Sequence, residues 1–402
     1  MKTVFVIFRS GISGGTATLS IRIGEWLANN GYEVLYICQN YNDMNNVRTM
    51  KEKGIQVYKW GLKQIVNKLS KKYNSCNFNV LTYSLNEFLF IETLKERLRI
   101  IKSTLYAVGA NGLIKGSKLP SIFRGITSIF YAKIIKELIA NESVLFINKA
   151  SLDLTEKYFR ITIKNKKDII YYLPIEVHPY DKNTVSRKAE LETFNILTIA
   201  RADFPFKGYI IGVIDDFKKL CDIHDNMTLT IITFGKDKDK IAEKIKKLPS
   251  EVQSKINLIG RTPYEKLREY FAQSHLFLGM GTTVLDAVNH SVPAIVVQPY
   301  TYENKTSGFF HKQPVRLTYE GNLVPAVKFM ESIIQMSKHE YEELCKKEYD
   351  MLKEYYCMDT LINYLISDKN GRGVKKINSF DLKIHQFMIN MKFFIKKRIQ
   401  NY

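Results

Sequence analysis

Cysteine is scarce in this sequence. The five, Cys38, Cys76, Cys221, Cys345 and Cys357, are odd in number, scattered, and never spaced as C-x-x-C. That excludes a disulfide-stapled scaffold and a cysteine zinc site, and it points to a reducing compartment. Long apolar runs are missing as well. The first, Thr3 to Phe8, is cut by Arg9 and is too short for the core of a secretion signal. Nothing approaches the roughly 18 uninterrupted apolar residues of a spanning helix. A cytoplasmic protein that is not integral to a membrane is therefore expected. Acid is short relative to base: 60 Lys and Arg against 40 Asp and Glu leave +20 over 402 residues. Such an excess favours anionic partners, whether nucleic acid, an acidic membrane surface or a phosphorylated small molecule. No helix-turn-helix, zinc finger, RNP-type aromatic pair or KH-type loop accompanies it, so no nucleic-acid partner is expected. Hydrophobic residues at 45% and charged residues at 25% are ordinary for a folded soluble chain and exclude a disordered or collagen-like one.

What is present is an alternation of strand-like and helix-like segments. KTVFVIF is a short apolar run, followed by SGISGG and then TATLSIRIGEWLANN, where Leu19, Ile23, Trp26 and Leu27 recur at helical spacing before Gly31. YEVLYIC is the next strand. Strand, glycine-rich turn, helix and strand in that order open a doubly wound α/β domain. NFNVLTYS and STLYAVG continue it as strands with a helix-like ETLKERLRIIK between them, and SVLFINKAS and KDIIYYLP complete the first half. Residues 174–193 are polar, hold two prolines and read as a linker.

The pattern then restarts. FNILTIAR, MTLTIITFG, KINLIG, HLFLGM and PAIVVQPY read as strands. GYIIGVIDDFKKLCDI, KIAEKIKKLP, YEKLREYFAQS and TTVLDAVNH read as the helices between them. From 338 to 366 the chain reads as long helix, followed by a Gly371-Arg372-Gly373 break. The expected organisation is an N-terminal Rossmann-like domain over 1–180 and a second over 193–337. Helices over 338–370 return to the first domain, and a basic amphipathic tail covers 371–402. Two such domains in tandem would leave a cleft between them, a preferred place for ligands.

Two segments of the second half carry chemistry. In ARADFPFKG, Arg201 stands at a strand end and Lys207 six residues on, just before Gly208 and a helix. Ligands of doubly wound domains lie at the carboxyl ends of strands. A guanidinium fork and an ammonium fixed there suit a diphosphate, although a solvated basic loop would look the same. In HLFLGMGTTVLDAVNH, a strand runs into Gly279-Met280-Gly281, and Thr282 and Thr283 open a helix. The free N–H groups and the dipole of a helix N-terminus favour an anion. Asp286 lies one turn in, on a face that could reach a ribose or sugar hydroxyl. An ordinary β-turn-α corner, with Asp286 as a first-turn charge, is the plainer alternative.

Taken together, these segments resemble something specific. The order is strand–R-x5-K-G–helix, strand–F-G, strand–G-R, then strand–glycine turn–T-x-L-D-A ending in P-A-I. It is similar to the donor domain of retaining glycosyltransferases of the GT-B fold, above all the large family 4 (group 1). The resemblance covers nearly all of residues 194–300 and the first glycine loop with the helix ending at NNGYEV. It implies two Rossmann-like domains facing across a cleft, and transfer of a sugar from a nucleoside-diphosphate sugar with retention of configuration. It also implies residue roles. Arg201 and Lys207 would neutralise the donor diphosphate and the charge on the leaving phosphate. Asp286 matches the second acid of the family's E-x7-E pair and would bind the donor ribose. Gly281, Thr282 and Thr283 would present the helix N-terminus to the phosphates. Phe234, Gly235, Arg261 and Thr262 would line the base and sugar pocket, and Gly14 and Gly15 match the loop facing the donor from the first domain. Family members generally need no metal or other cofactor and no separate catalytic base, since the leaving phosphate helps deprotonate the acceptor. The sequence departs from the family at the first acid, where Leu278 stands. That departure supports one alternative, a catalytically weak subunit that binds nucleotide-sugar or a partner transferase. A second, a nucleotide-sugar epimerase of the same fold, would need acid/base carboxylates or histidines that the sequence does not identify.

The remaining charge gathers in two stretches. Residues 97–136 hold eight basic residues and no acid, with Phe123, Phe130 and Tyr131 interleaved. Residues 371–402 hold eight basic residues and one acid, with Phe387, Met388, Met391, Phe394 and Ile395 at helical spacing. Basic, aromatic and aliphatic residues on one helix suit docking on an anionic leaflet. A helix packed on the first domain with a solvated basic face is the alternative. The expectation is a peripheral protein on the inner face of the plasma membrane. Its acceptor would be a glycan or a polyprenyl-phosphate-linked glycan, in the biosynthesis of a surface polysaccharide.

Overall fold

A computed structural model describes residues 2–12, 15–108, 113, 124–263, 266–312, 322–367 and 377–388. The chain forms two compact units, Met1–Glu176 with Tyr356–Tyr402, and Val177–Tyr355.

The first unit is built on a six-stranded sheet of order β3-β2-β1-β4-β5-β6. Its strands are Thr3–Arg9 (β1), Glu33–Cys38 (β2), Gln56–Lys59 (β3), Asn77–Thr82 (β4), Ile100–Ala107 (β5) and Val144–Phe146 (β6). Every pairing is parallel. The unbroken burial of Val4 through Phe8 is what a strand covered on both faces requires. The helix Gly15–Asn29 returns from β1 to β2 and buries Leu19, Ile23 and Leu27 along one stripe. Gly31, at φ +83°, turns the chain out of it.

Two helices and a strand lie where the sequence carried no clear period. Met44–Glu52 is capped by Asp43, whose carboxylate accepts the N–H groups of Asn45 and Asn46. The edge strand β3 and the helix Leu62–Lys72 follow it. The helix expected over ETLKERLRIIK is displaced. The helix runs Leu85–Leu94 behind a Ser84 cap, and the apolar end of that segment enters the sheet, with Ile100 paired to Phe78.

The second unit holds a seven-stranded sheet of order β13-β12-β11-β10-β7-β8-β9. The parallel strands are Phe194–Arg201 (β7), Met227–Phe234 (β8), Ile256–Ile259 (β9), Leu276–Gly279 (β10) and Ala294–Val297 (β11). Lys305–Phe309 (β12) and Val324–Pro325 (β13) extend the β11 edge in antiparallel fashion. The segment read as a linker contains the helix Lys182–Ala189, which buries Val185 and Lys188. Asp181 caps it by accepting the N–H of Thr184 at 3.0 Å, a local signal that two nearby prolines had masked.

The long C-terminal helix is two helices, Lys338–Tyr356 and Met358–Ile366, interrupted at Cys357. The first adds Tyr341, Leu344 and Cys345 to the core of the second unit. The other adds Met358, Leu361, Ile362 and Leu365 to a core of the first unit that also holds Ile23 and Tyr36.

In the second unit, the helix Tyr209–Cys221 follows β7 and lies so close to residues 301–304 that only glycine fits at two of its turns. A Cβ at Gly208 would stand 2.6 Å from the Thr301 carbonyl oxygen, and one at Gly212 would stand 2.3 Å from the Asn304 nitrogen. Mid-helix Gly→Ala gains about 0.5–1 kcal/mol where space is free. At Gly212 the clash outweighs that gain, and Gly212→Ala should lose about 1–3 kcal/mol in urea unfolding. A stabilised variant would show that the helix and the 301–304 segment are not in contact.

Candidate functional site

The second unit gathers its charged and aromatic residues at the carboxyl ends of β7 and β8. These strands run parallel with Arg201 in register with Phe234, so the segments leaving them emerge side by side. Three hydrogen bonds fix the β7 exit. Ala202 N–H donates to the Phe234 carbonyl at 2.7 Å, and Lys207 N–H donates to the Asp203 carbonyl at 2.9 Å. Phe204 N–H donates to the Asp237 carboxylate at 2.8 Å. Gly235 sits at φ +118°, where a Cβ would be 2.6 Å from the Ala202 oxygen. Glycine is what lets the two exits touch.

Two of the residues expected to bind a diphosphate are brought together here. The Arg201 side chain is 61% exposed, and its Nη2 lies 3.2 Å from Asp203 Oδ2. The other oxygen of Asp203 takes Lys236 Nζ at 3.1 Å. Lys207 is half-buried and differs in kind. Its Nζ lies 5.2 Å from the Phe206 ring centroid and 5.9 Å from that of Tyr209. Among the described residues, no carboxylate pairs with it. Burial first, and then the charge of Arg201, pull its pKa down to about 8. The result is a desolvated ammonium beside a guanidinium, a combination suited to a multiply charged anion.

The neighbouring strands add less charge and more surface. Phe234 is 41% exposed, and the Arg261 guanidinium lies 5.4 Å from its ring centroid. Thr262 donates its hydroxyl to the Gly260 carbonyl at 3.2 Å. Beyond β10, Gly281 has φ +73° and caps the helix Thr282–Asn289, with open space where its Cβ would be. Thr282 is exposed, whereas Thr283 donates its hydroxyl to the Met280 carbonyl at 3.3 Å. Asp286 is on the inner side of that helix, 5% exposed, and is engaged within the protein. Leu278 is a fully buried core residue of β10, in register with Ile295. Gly14 lies outside the described residues, and Gly15 opens the first helix of the other unit.

Asp203, Lys236 and Asp237 went unread in the sequence. Strand ends identify the first two, which lie two residues past Arg201 and Phe234. Asp237-Lys238-Asp239 is a D-x-D triplet, but Asp237 is engaged by Phe204 N–H and by Lys240 at 2.8 Å. Among the described residues, no group of three or more His, Cys, Asp or Glu could hold a metal ion. His275 is structural: Nδ1 accepts Asn195 N–H at 3.0 Å and Nε2 donates to the Lys188 carbonyl at 2.7 Å. A cavity of about 430 Å³ beside it, lined by Phe194, Met227 and Tyr341, opens at the amino ends of the strands, away from Lys207. His311 is likewise occupied, with Nδ1 3.3 Å from the buried carboxylate of Glu348.

This architecture, two Rossmann-like units each on a largely parallel sheet, is the GT-B fold. A crystal structure of a glycosyltransferase from Rickettsia africae superposes with a TM-score of 0.61 at 13% identity, covering 92% of this chain and all of that one. HepE of Anabaena, solved in complex with UDP, gives 0.57 at 12% identity, covering 91% and 98%. The N-terminal domain of trehalose-6-phosphate phosphatase from Candida albicans gives 0.54 at 13%, covering 92% and 97%. At these identities the likeness is one of fold. No protein-family model and no curated protein matches the sequence.

The Lys207 environment has a consequence for stability. Its folded pKa lies below that of a free lysine, so the unfolded chain holds this proton to higher pH. Raising the pH from about 8 towards 10.5 therefore favours the fold. Lys207→Met should be more stable than the wild type at pH 7, by roughly 1–2 kcal/mol after allowance for partial exposure. The gap should close as the pH rises through that window. Denaturant melts at pH 7 and pH 10 check this, and a constant gap would contradict the desolvated ammonium.

Proposed function

We propose that the chain is a glycosyltransferase that moves a sugar from a nucleoside-diphosphate sugar to a glycan or lipid-linked glycan acceptor, with retention of configuration. The observation that carries the reading is Lys207, a half-buried ammonium beside Arg201 at the carboxyl end of β7 that no carboxylate pairs with among the described residues. A cation pair of which only Arg201 is met by a carboxylate, at that end of a doubly wound sheet, suits a diphosphate. The solved complex of HepE with UDP makes UDP the first ligand to try. On this reading the acceptor oxygen bonds to the anomeric carbon on the face from which the diphosphate departs. The bond from that carbon to the phosphate oxygen breaks, and the departing phosphate takes the acceptor proton. Arg201 and Lys207 stabilise the negative charge that builds on it, which is usually the largest catalytic contribution. Phe234 and Arg261 offer a stacked surface for the base. No metal or other cofactor is assigned a part.

A role on surface polysaccharide at an anionic inner leaflet belongs to the same proposal. Among the described residues no helix is long and apolar enough to cross a membrane. Phe380 and Phe387 are exposed at 65% and 62%, as a docking helix would need. Against that, Lys133 is paired with Asp381 at 2.7 Å, and Tyr131 is buried with its hydroxyl 3.0 Å from His385 Nδ1. Lys115, Lys118, Phe123, Met391, Phe394 and Ile395 lie outside the described residues. A binding subunit without turnover is the second reading, favoured by Leu278, an apolar core residue where the resembling family has an acid.

Thermal unfolding against UDP, GDP, ADP and CMP separates these readings. A ligand at a hundred times its Kd adds about 2.7 kcal/mol, roughly 5–10 °C for a unit of this size. One diphosphate should give that shift, and Lys207→Ala should lose both the shift and sugar transfer while staying folded. A shift without transfer supports the binding subunit. Wild-type transfer by Lys207→Ala would contradict the diphosphate assignment.

A further inference from the structure

Lys236 brings a third cation to the strand ends, and one carboxylate serves two of the three. Asp203 Oδ2 lies 3.2 Å from Arg201 Nη2, and Asp203 Oδ1 lies 3.1 Å from Lys236 Nζ. Arg201 ends β7 and Lys236 follows β8, so this carboxylate bridges the two exits. All three side chains reach solvent, Arg201 and Lys236 at 61% and 69% and Asp203 at 34%. Exposed ion pairs of this kind add little to stability.

The backbone around Asp203 is tied on both sides. Ala202 N–H and Phe204 N–H reach across to the Phe234 carbonyl and the Asp237 carboxylate. Asp237 N–H returns to the Ala202 carbonyl at 3.3 Å, and the Asp203 carbonyl accepts Lys207 N–H. Aspartate is short. With its backbone held, the carboxylate stays beside the cations whatever else binds there. The next carboxylate, Asp237, is balanced by Lys240 at 2.8 Å.

Charge then decides what the strand ends prefer. Arg201, Lys207 and Lys236 supply three positive charges and Asp203 one negative, which leaves two. Lys207, with a pKa of about 8, still holds its proton at pH 7. A diphosphate esterified at both ends, as in a nucleotide-sugar, carries about two negative charges. The free nucleoside diphosphate carries about three at pH 7, because its terminal phosphate ionises again with a pKa of about 6.

We infer that Lys236 is the third cation of the diphosphate site and that Asp203 is its built-in counter-ion, matching the net charge to the nucleotide-sugar donor and disfavouring the nucleoside-diphosphate product. This rests on the transferase reading of the same site. Asp203 takes no part in making or breaking bonds. It weakens the hold on the product and so favours its release.

Calorimetry on the full-length protein, at pH 7 and low salt, compares UDP with its β-methyl ester, which has the charge of a donor and no sugar to accommodate. GDP and ADP with their esters take the place of UDP if it does not bind. Asp203→Asn keeps the shape of the side chain and should tighten UDP about 10-fold and the ester about 3–5-fold. Lys236→Gln should weaken UDP about 3–10-fold. Asp239→Asn removes an exposed carboxylate outside the triad and should change UDP binding by less than about 2-fold.

No gain in Asp203→Asn, or equal gains for UDP and the ester, would overturn the inference. A loss of affinity there would make Asp203 structural and overturn it too. So would an equal gain in Asp239→Asn, which would reduce the effect to general electrostatics, or unchanged binding by Lys236→Gln. In each of these cases the wild type still binds a diphosphate, and the transferase reading stands. A wild type that binds none of the three diphosphates fails that reading, and the inference falls with it.

Discussion

The second unit depends on one electrostatic constraint: two cations are held close together at the end of β7 and, among the described residues, share with Lys236 only one carboxylate. Asp203 serves Arg201 and Lys236, and Lys207 is left to aromatic faces. Such an arrangement raises the energy of the empty protein. It persists because the surroundings determine it. The Ala202, Phe204 and Lys207 amides are each tied down, and the glycines at 208, 212 and 235 allow contacts that any Cβ would break. The strain is local and electrostatic, and on the proposed reading an incoming dianion would relieve it.

Asp203 also sets a limit on that relief. It is a counter-ion within reach of both exposed cations, so on the proposed reading a diphosphate would share Arg201 and Lys236 with it. Among the described residues, Lys207 has no such competitor. The affinity of the site should therefore rest disproportionately on Lys207, and its selectivity on the flatter surfaces of Phe234 and Arg261. Fold alone decides neither, since similar folds host different chemistries. The solved neighbours here include a glycosyltransferase and a domain of a trehalose-6-phosphate phosphatase.

Much of the scaffold was legible in the sequence because its strands are continuous apolar runs. FNILTIAR and MTLTIITF could hardly be anything else, and the cations that follow them announced themselves by standing at strand ends. What was hidden followed a different physics. Strand β3 is four residues long and sits at an edge, too short for a period to show. The helix Lys182–Ala189 was obscured by nearby prolines although Asp181 marked its cap. Leu278 looked like a missing acid, and in the structure it is a core residue of β10. Arg9 looked like an interruption of an apolar run. Only the sheet order reveals that it stands where the winding reverses.

The measurement that bears most directly on the central claim is the proton balance of UDP binding, by calorimetry at pH 9 in buffers of different ionisation enthalpy. With a pKa of about 8 in the free protein, Lys207 is mostly neutral at that pH. Phosphates are fully ionised there and release nothing. If the diphosphate seats on Lys207, binding must recharge it, and the account predicts uptake approaching one proton, absent in Lys207→Arg. Binding with no proton uptake in the wild type would show that the anion lies elsewhere and contradict the account.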